Sequence, residues 1–134
     1  MRWITAVTLA VFLLMAVSPA WSEARTIDIL ADKDSHYKLA GERTPVLALK
    51  PGEEVVLRIT AKKGKSWNRD GSVHGFTLVR VKDRSKVAGW DLLLRSGTQE
   101  FALKAPEAGE YEVVCTVICS EDHEGMRMKV VVEP

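Results

Sequence analysis

Short apolar runs separated by polar turns fill the chain from about residue 26 onward, and side chains within several runs alternate with the period of a strand. The runs are rich in Val, Ile, Leu, Phe and Tyr, which favour strands, and turn residues such as Pro51-Gly52 separate several of them. Strands are predicted at Thr26–Leu30, Val46–Leu49, Glu54–Thr60, Gly75–Val81, Gln99–Leu103, Tyr111–Val114 and Arg127–Val132. Several short strands in a chain of this length predict an all-β sandwich.

One apolar run, Val87–Leu94, fits either a strand or a short helix. On a strand, residues an even number of positions apart point to the same face, which predicts where two candidate ligands point. His74 shares its parity with Phe76, and Cys115 shares its parity with Val113. We therefore expect the imidazole and the thiol to lie on the core side of their strands.

The start of the chain has a different pattern. Met1-Arg2 is positive, Trp3–Val17 is almost continuously apolar, and Ser18-Pro19-Ala20 ends the run ahead of a small-residue cleavage site after Ala20 or Ala24. This pattern is typical of a secretory signal peptide. The apolar run is shorter than the roughly 20 residues that a bilayer-spanning helix needs, although an uncleaved anchor is an alternative.

These features divide the chain into a signal peptide at 1–24 and one domain at 25–134, which is long enough for a single hydrophobic core. The location expected for the mature domain is periplasmic or secreted, with no stable membrane insertion after cleavage. The formal net charge of the chain is +1, which gives no basic face for nucleic acid. Export places the two cysteines in an oxidising compartment, where one disulfide is the default expectation.

Potential metal ligands are concentrated in the segment Cys115–Met126, which contains both cysteines, one of the three histidines and a methionine. Their spacing is Cys-x3-Cys-x3-His-x2-Met. Thiolates, imidazole and thioether are soft or borderline donors, the set that suits copper.

Three simpler sites compete with a two-thiolate copper site. A disulfide between Cys115 and Cys119 would close a short loop and stabilise little. Zinc would give no reason for Met126, a poor zinc ligand. A mononuclear blue-copper site needs only Cys119, His123, Met126 and His74, and Cys115 would then be a spare thiol at the end of a strand.

The segment resembles the loop of the dinuclear copper A (CuA) centre in the cupredoxin family, as found in cytochrome c oxidase subunit II and nitrous oxide reductase. Those proteins carry the same spacing. Val73–Leu78 resembles the strand that supplies their other histidine, and Ala105–Tyr111 resembles the approach to the loop. The resemblance covers roughly residues 26–133 and implies a cupredoxin-like Greek-key β-sandwich.

The resemblance also implies a role for each ligand. Cys115 and Cys119 would bridge two copper ions. His74 would bind one ion with Met126 as a weak partner, and His123 would bind the other with the main-chain carbonyl of Val117. A mononuclear site would hold one ion.

Such a site has no open position for substrate, so we expect an electron carrier and not an enzyme. The expected partner is a redox protein such as a cytochrome or a copper enzyme. The alternatives are a periplasmic copper carrier or metallochaperone, a mononuclear copper cupredoxin, and a metal-free domain with a disulfide. Outside the site, we expect His36 to lie at the surface and Met128 to lie in the core.

Overall fold

The computed structural model describes residues 24–42, 44–64, 68–117 and 125–134. The predicted signal peptide, apart from its last residue, lies outside these ranges, as do Cys119 and His123.

Nine strands make up the regular structure of the described residues. They are β1 (Arg25–Ala31), β2 (Tyr37–Leu39), β3 (Val46–Leu49), β4 (Glu54–Ala61), β5 (Ser72–Arg80), β6 (Lys86–Arg95), β7 (Gly97–Lys104), β8 (Gly109–Val114) and β9 (Arg127–Val132). The first sheet has the order β2-β1-β4-β7 and the second has the order β3-β9-β8-β5-β6. In the described part of the chain, no helix is long and apolar enough to span a membrane.

The sequence prediction of an all-β sandwich is confirmed. The bounds of β3 and β9 agree with the prediction, the other five predicted strands differ from it by one to three residues at an end, and the ambiguous run Val87–Leu94 lies within strand β6. The strand β2 was not predicted, because its three residues are too few to show an alternation.

Alternation explains how the core forms between the two sheets. In β4 the buried positions are Val55, Leu57, Ile59 and Ala61, while Glu54 and Arg58 are exposed. The same alternation holds in β9, where Met128 is only 2% exposed. Burying apolar side chains from both sheets against each other is the main favourable term in the stability of such a sandwich.

Strand β5 is different because Ser72–Val79 is buried throughout. This strand lies inside the second sheet between β8 and β6, so neighbouring strands flank it on both sides. Its register pairs Thr77 with Val114 and with Asp91.

The topology brings several chain ends together. Strand β5 begins where β8 ends, since the two are antiparallel, and β9 begins beside the end of β8. We call this the site end of the sandwich. It contains His74 near the start of β5, Cys115 directly after β8 and Met126 directly before β9.

Candidate metal centre

A tight turn before β5 determines where that strand starts. The N–H of Gly71 donates to the carbonyl of Asn68 at 3.0 Å, and Gly71 has φ of 81°, a conformation that suits glycine. The N–H and hydroxyl of Ser72 both donate to one carboxylate oxygen of Asp70, at 2.9 and 2.6 Å. These hydrogen bonds hold the pKa of Asp70 below its usual value. The turn thus places His74 within the first residues of the strand.

His74 is completely buried. Its Nε2 lies 2.7 Å from the carbonyl oxygen of Lys62. Because a carbonyl only accepts hydrogen bonds, Nε2 must carry the proton, and a neutral ring then has a lone pair at Nδ1. Among the described residues, Nδ1 of His74 is the buried side-chain nitrogen or oxygen atom that has no hydrogen-bond partner.

The first sheet supplies the acceptor that orients this ring. Lys62 directly follows β4, and its N–H donates to the carbonyl of Ala31 in β1 at 2.8 Å. The carbonyl of Lys62 therefore belongs to a part of the backbone that the first sheet holds in place. Metal-binding histidines usually donate their other ring N–H to such a group, which fixes the tautomer and the ring orientation.

Cys115 contacts Gly75, the residue that directly follows His74 in β5. Its side chain is in the core, with the residue 7% exposed. The N–H of Gly75 donates to Sγ of Cys115 at 3.3 Å. The carbonyl oxygen of Val117 lies 3.1 Å from the same sulfur, so the carbonyl predicted as a weak ligand is close to the predicted thiolate.

Met126 lies opposite Cys115 across the ends of β8 and β9. The N–H of Cys115 donates to the carbonyl of Met126 at 3.2 Å, and Met126 is completely buried. Cys115 and Met126 are eleven positions apart in the chain, and strand pairing brings them together. Their hydrogen bond extends the pairing of Val114 with Arg127 by one residue.

A line of polar groups ties the residue after Cys115 to the second sheet. The hydroxyl of Thr77 donates to a carboxylate oxygen of Asp91 at 2.7 Å and lies 3.1 Å from the hydroxyl of Thr116. Since Thr77 has one hydroxyl proton, Thr116 is the donor in the second bond. The hydrogen bond from Thr77 is the largest cause that holds the pKa of Asp91 below its usual value, and Lys86 adds to it.

Four of the six predicted ligands lie in the described residues. The structure places His74, Cys115, Val117 and Met126 at the site end, whereas Cys119 and His123 lie outside the described ranges. Within those ranges, no three side chains of His, Cys, Asp or Glu form a group that could hold a metal ion. The proposed ligands within the described ranges include two side chains of these types, Cys115 and His74, so a group of three is not expected there.

The donors present fit copper. A buried imidazole nitrogen with a free lone pair, a thiol sulfur and a thioether are together the soft and borderline donors that copper prefers. The lone pair at Nδ1 of His74 is the specific reason to expect a bound metal. A buried polar atom without a partner lowers the free energy of unfolding by about 1–3 kcal/mol unless a ligand satisfies it.

Sequence analysis did not find the supporting residues Lys62, Gly75, Thr77 and Asp91. Gly75 and Thr77 lie on a predicted strand and gave no chemical signal, and Lys62 acts through its main chain. The two predictions outside the site are confirmed. The side chain of His36 is 42% exposed, and Met128 is in the core.

The fold is similar to that of several solved structures. One solved structure is auracyanin A, a "blue" copper protein from Chloroflexus aurantiacus, with 20% identity, a TM-score of 0.58, and 83% of this chain and 100% of that chain covered. Another is reduced rusticyanin, with 19% identity, a TM-score of 0.51, and coverages of 84% and 82%. A chain of a heme-copper terminal oxidase has 20% identity, a TM-score of 0.53, and coverages of 96% and 78%.

Comparisons with protein-family models and with curated proteins gave no match. At the identities found among solved structures, the likeness establishes the fold. The chain is therefore an all-β sandwich with the cupredoxin fold.

Proposed function

We propose that this chain is an exported copper protein that transfers single electrons through a dinuclear CuA-type centre. The observation that carries the copper assignment is the buried Nδ1 of His74, which has no partner among the described residues while Nε2 donates to Lys62. A "blue" copper protein and a chain of a heme-copper terminal oxidase with similar folds support the choice of metal.

The protein's own residues provide a fixed set of donors. The Lys62 carbonyl orients His74, the Gly75 N–H contacts the Cys115 sulfur, and strand pairing holds Met126 opposite Cys115. Bound copper would supply a one-electron couple, accepting an electron from a reduced partner and passing it to an oxidised one. Ligands held in one arrangement for both oxidation states lower the structural rearrangement that accompanies each transfer.

One feature of the sequence and one of the structure support a dinuclear centre. Both thiols belong to the Cys-x3-Cys-x3-His-x2-Met spacing, and Cys115 lies at the site end against the N–H of Gly75 and the carbonyl of Val117. We propose His74, Cys115, Val117, Cys119, His123 and Met126 as the ligands of two copper ions.

The test is metal analysis and electron paramagnetic resonance of protein produced by export. We expect two copper ions per chain and an unpaired electron shared by both. One copper per chain with a localised spin would refute the dinuclear centre and leave a mononuclear copper protein. No bound copper would refute the function as a whole.

A substitution of Cys115 by Ser provides the matched test of the thiolate bridge. We expect the Cys115→Ser protein to lose the shared-electron signal, because one bridging sulfur is gone. If the variant keeps the colour and spectrum of the wild type, Cys115 is not a ligand.

We further propose that residues 1–24 are removed on export and that the mature domain works in the periplasm or outside the cell. Its partner would be a redox protein such as a cytochrome, and the domain alone would catalyse no reaction. The mass of the protein recovered from the periplasmic fraction tests the first point, since cleavage after Ala20 and cleavage after Ala24 give different masses.

A further inference from the structure

A buried tyrosine from the first sheet reaches the backbone next to His74. Tyr37, in β2, is completely buried, and its hydroxyl donates to the carbonyl of Gly75 in β5. Its ring also packs edge-on against Phe76, with centroids 5.5 Å apart and planes at 85°. The hydrogen bond from Tyr37 thus joins the two sheets at Gly75, which follows His74 in the chain and contacts Cys115.

Small residues beside Tyr37 give its ring room. In the first sheet Tyr37 pairs with Ala31, and Ala31 pairs with Ala61. Both alanines are buried. A large side chain next to small ones in the same row fills the space between facing sheets without overpacking.

The hydroxyl of Tyr37 lies close to the candidate site. The carbonyl of Gly75 accepts from Tyr37, while the N–H of Gly75 donates to Sγ of Cys115 at 3.3 Å. Gly75 has no side chain to fix its position by packing. The hydrogen bond from Tyr37 is therefore a contact that can set how close this N–H comes to the sulfur.

We propose that Tyr37 is a positioning residue for the metal centre, and that its hydroxyl holds Gly75 so that the Gly75 N–H stays bonded to the Cys115 thiolate. This inference rests on the proposed copper function. A hydrogen bond to a ligating sulfur withdraws negative charge from it and favours the electron-rich reduced state, so it raises the reduction potential. Tyr37 acts on the centre through Gly75.

The test compares Tyr37→Phe with Tyr111→Phe. Each substitution removes one buried hydroxyl that donates to a main-chain carbonyl, because Tyr111 donates to the carbonyl of Glu107 at 2.5 Å and is 2% exposed. Tyr111 lies in the first half of β8, and its hydroxyl donates to Glu107 before that strand, whereas Cys115 follows the strand. Both variants keep the ring, so the loss of stability should be similar while the effect on the centre should differ.

We expect the ratio of the affinity for reduced copper to the affinity for oxidised copper to be about threefold lower in Tyr37→Phe than in the wild type. At 59 mV per tenfold change, this lowers the potential by about 28 mV. Tyr111→Phe should keep the potential of the wild type. Equal potentials in the wild type and Tyr37→Phe would overturn the inference.

A measurement without copper separates this inference from the proposed function. In reduced, metal-free protein, the Gly75 amide should exchange its hydrogen about threefold to tenfold faster in Tyr37→Phe than in Tyr111→Phe, the range set by one net hydrogen bond. Equal exchange in the two variants would overturn the positioning role. If the wild type binds no copper, the proposed function fails while this result stands.

A second variant covers the case in which Tyr37→Phe does not fold. The chain contains two tyrosines, so in Tyr111→Phe the remaining tyrosine is Tyr37. Replacing it with 3-fluorotyrosine makes the hydroxyl more acidic and a stronger donor, and the potential should rise relative to unlabelled Tyr111→Phe. A potential that stays the same or falls would contradict the inference.

Discussion

The main chain of Thr116 lies against the α-carbon of Gly75. A Cβ added at Gly75 would be 2.8 Å from the nitrogen of Thr116 and 2.9 Å from its hydroxyl oxygen. Real Cβ atoms do not approach backbone atoms so closely, so Gly75 is required by the contact of β5 with the segment that follows Cys115. Lack of space thus requires glycine at position 75.

Gly75→Ala should push this segment away from β5. We expect a loss of about 1–3 kcal/mol in the free energy of unfolding, the usual cost of overpacking, together with a changed copper spectrum because the N–H to Sγ contact lengthens. Chemical denaturation and absorption spectroscopy measure the two effects. Gly125→Ala is the control, since a Cβ there meets nothing within 4 Å in the described part of the chain. A stable Gly75→Ala protein with an unchanged spectrum would show that the close contact does not constrain the site.

Met126→Leu should change the metal centre more than the fold. Leucine has a similar volume, so we expect a cost below about 1.5 kcal/mol in unfolding free energy. Loss of a weak thioether donor destabilises the electron-poor oxidised state, so the reduction potential should rise. Met128→Leu is a matched control, because Met128 is also buried and lies within β9, two positions after Met126. Similar potentials in the two variants would argue against Met126 as a ligand.

Copper should stabilise the protein through His74. At a free copper concentration 100 times the dissociation constant, binding to the folded state adds about 2.7 kcal/mol to the free energy of unfolding. His74→Leu should lose most of this gain because Nδ1 is removed, whereas His36→Leu should keep it because His36 lies in the β1–β2 turn. Thermal unfolding with and without copper tests this. A full copper-dependent gain in His74→Leu would rule out this ligand.

Asp91 should stabilise the metal-free protein only when it is ionised. Its pKa is lower in the folded state than the ordinary value of 3.8, chiefly because of the hydrogen bond from Thr77. A depressed folded pKa gives stability that is present above the unfolded pKa and lost as the pH falls through the folded pKa. Because the Asp91 side chain is 49% exposed, we expect only a few tenths of a kcal/mol.

The measurement is chemical denaturation of the wild type and Asp91→Asn at neutral pH and well below pH 3.8. The difference between the two proteins should shrink at the lower pH. It should also shrink at neutral pH when both carry Thr77→Val, which removes the donor and keeps the side-chain shape. A difference that is unchanged by acid and by Thr77→Val would contradict this account of Asp91.

Most strands could be predicted from the sequence because alternation is a local signal. In β4 and β9 each inward residue is apolar and most outward residues are polar, and this pattern is set by burial of one face. The strand β2 could not be predicted in this way. Its three residues pair with β1 over Ile29–Ala31, and that pairing depends on the fold as a whole.

The sequence by itself determined the donor chemistry, because the types and spacing of residues in Cys115–Met126 are visible without a fold. It also gave His74 as the distant donor, through a resemblance to a known strand. Only the tertiary structure decided which atoms of these residues are satisfied. The Lys62 carbonyl accepts the hydrogen bond from Nε2 of His74 and directly follows β4, and the Tyr37 hydroxyl that donates to the Gly75 carbonyl comes from β2, so both groups come from the side of the other sheet. Contacts of this kind depend on the packing of two sheets, and no local pattern in the chain records them.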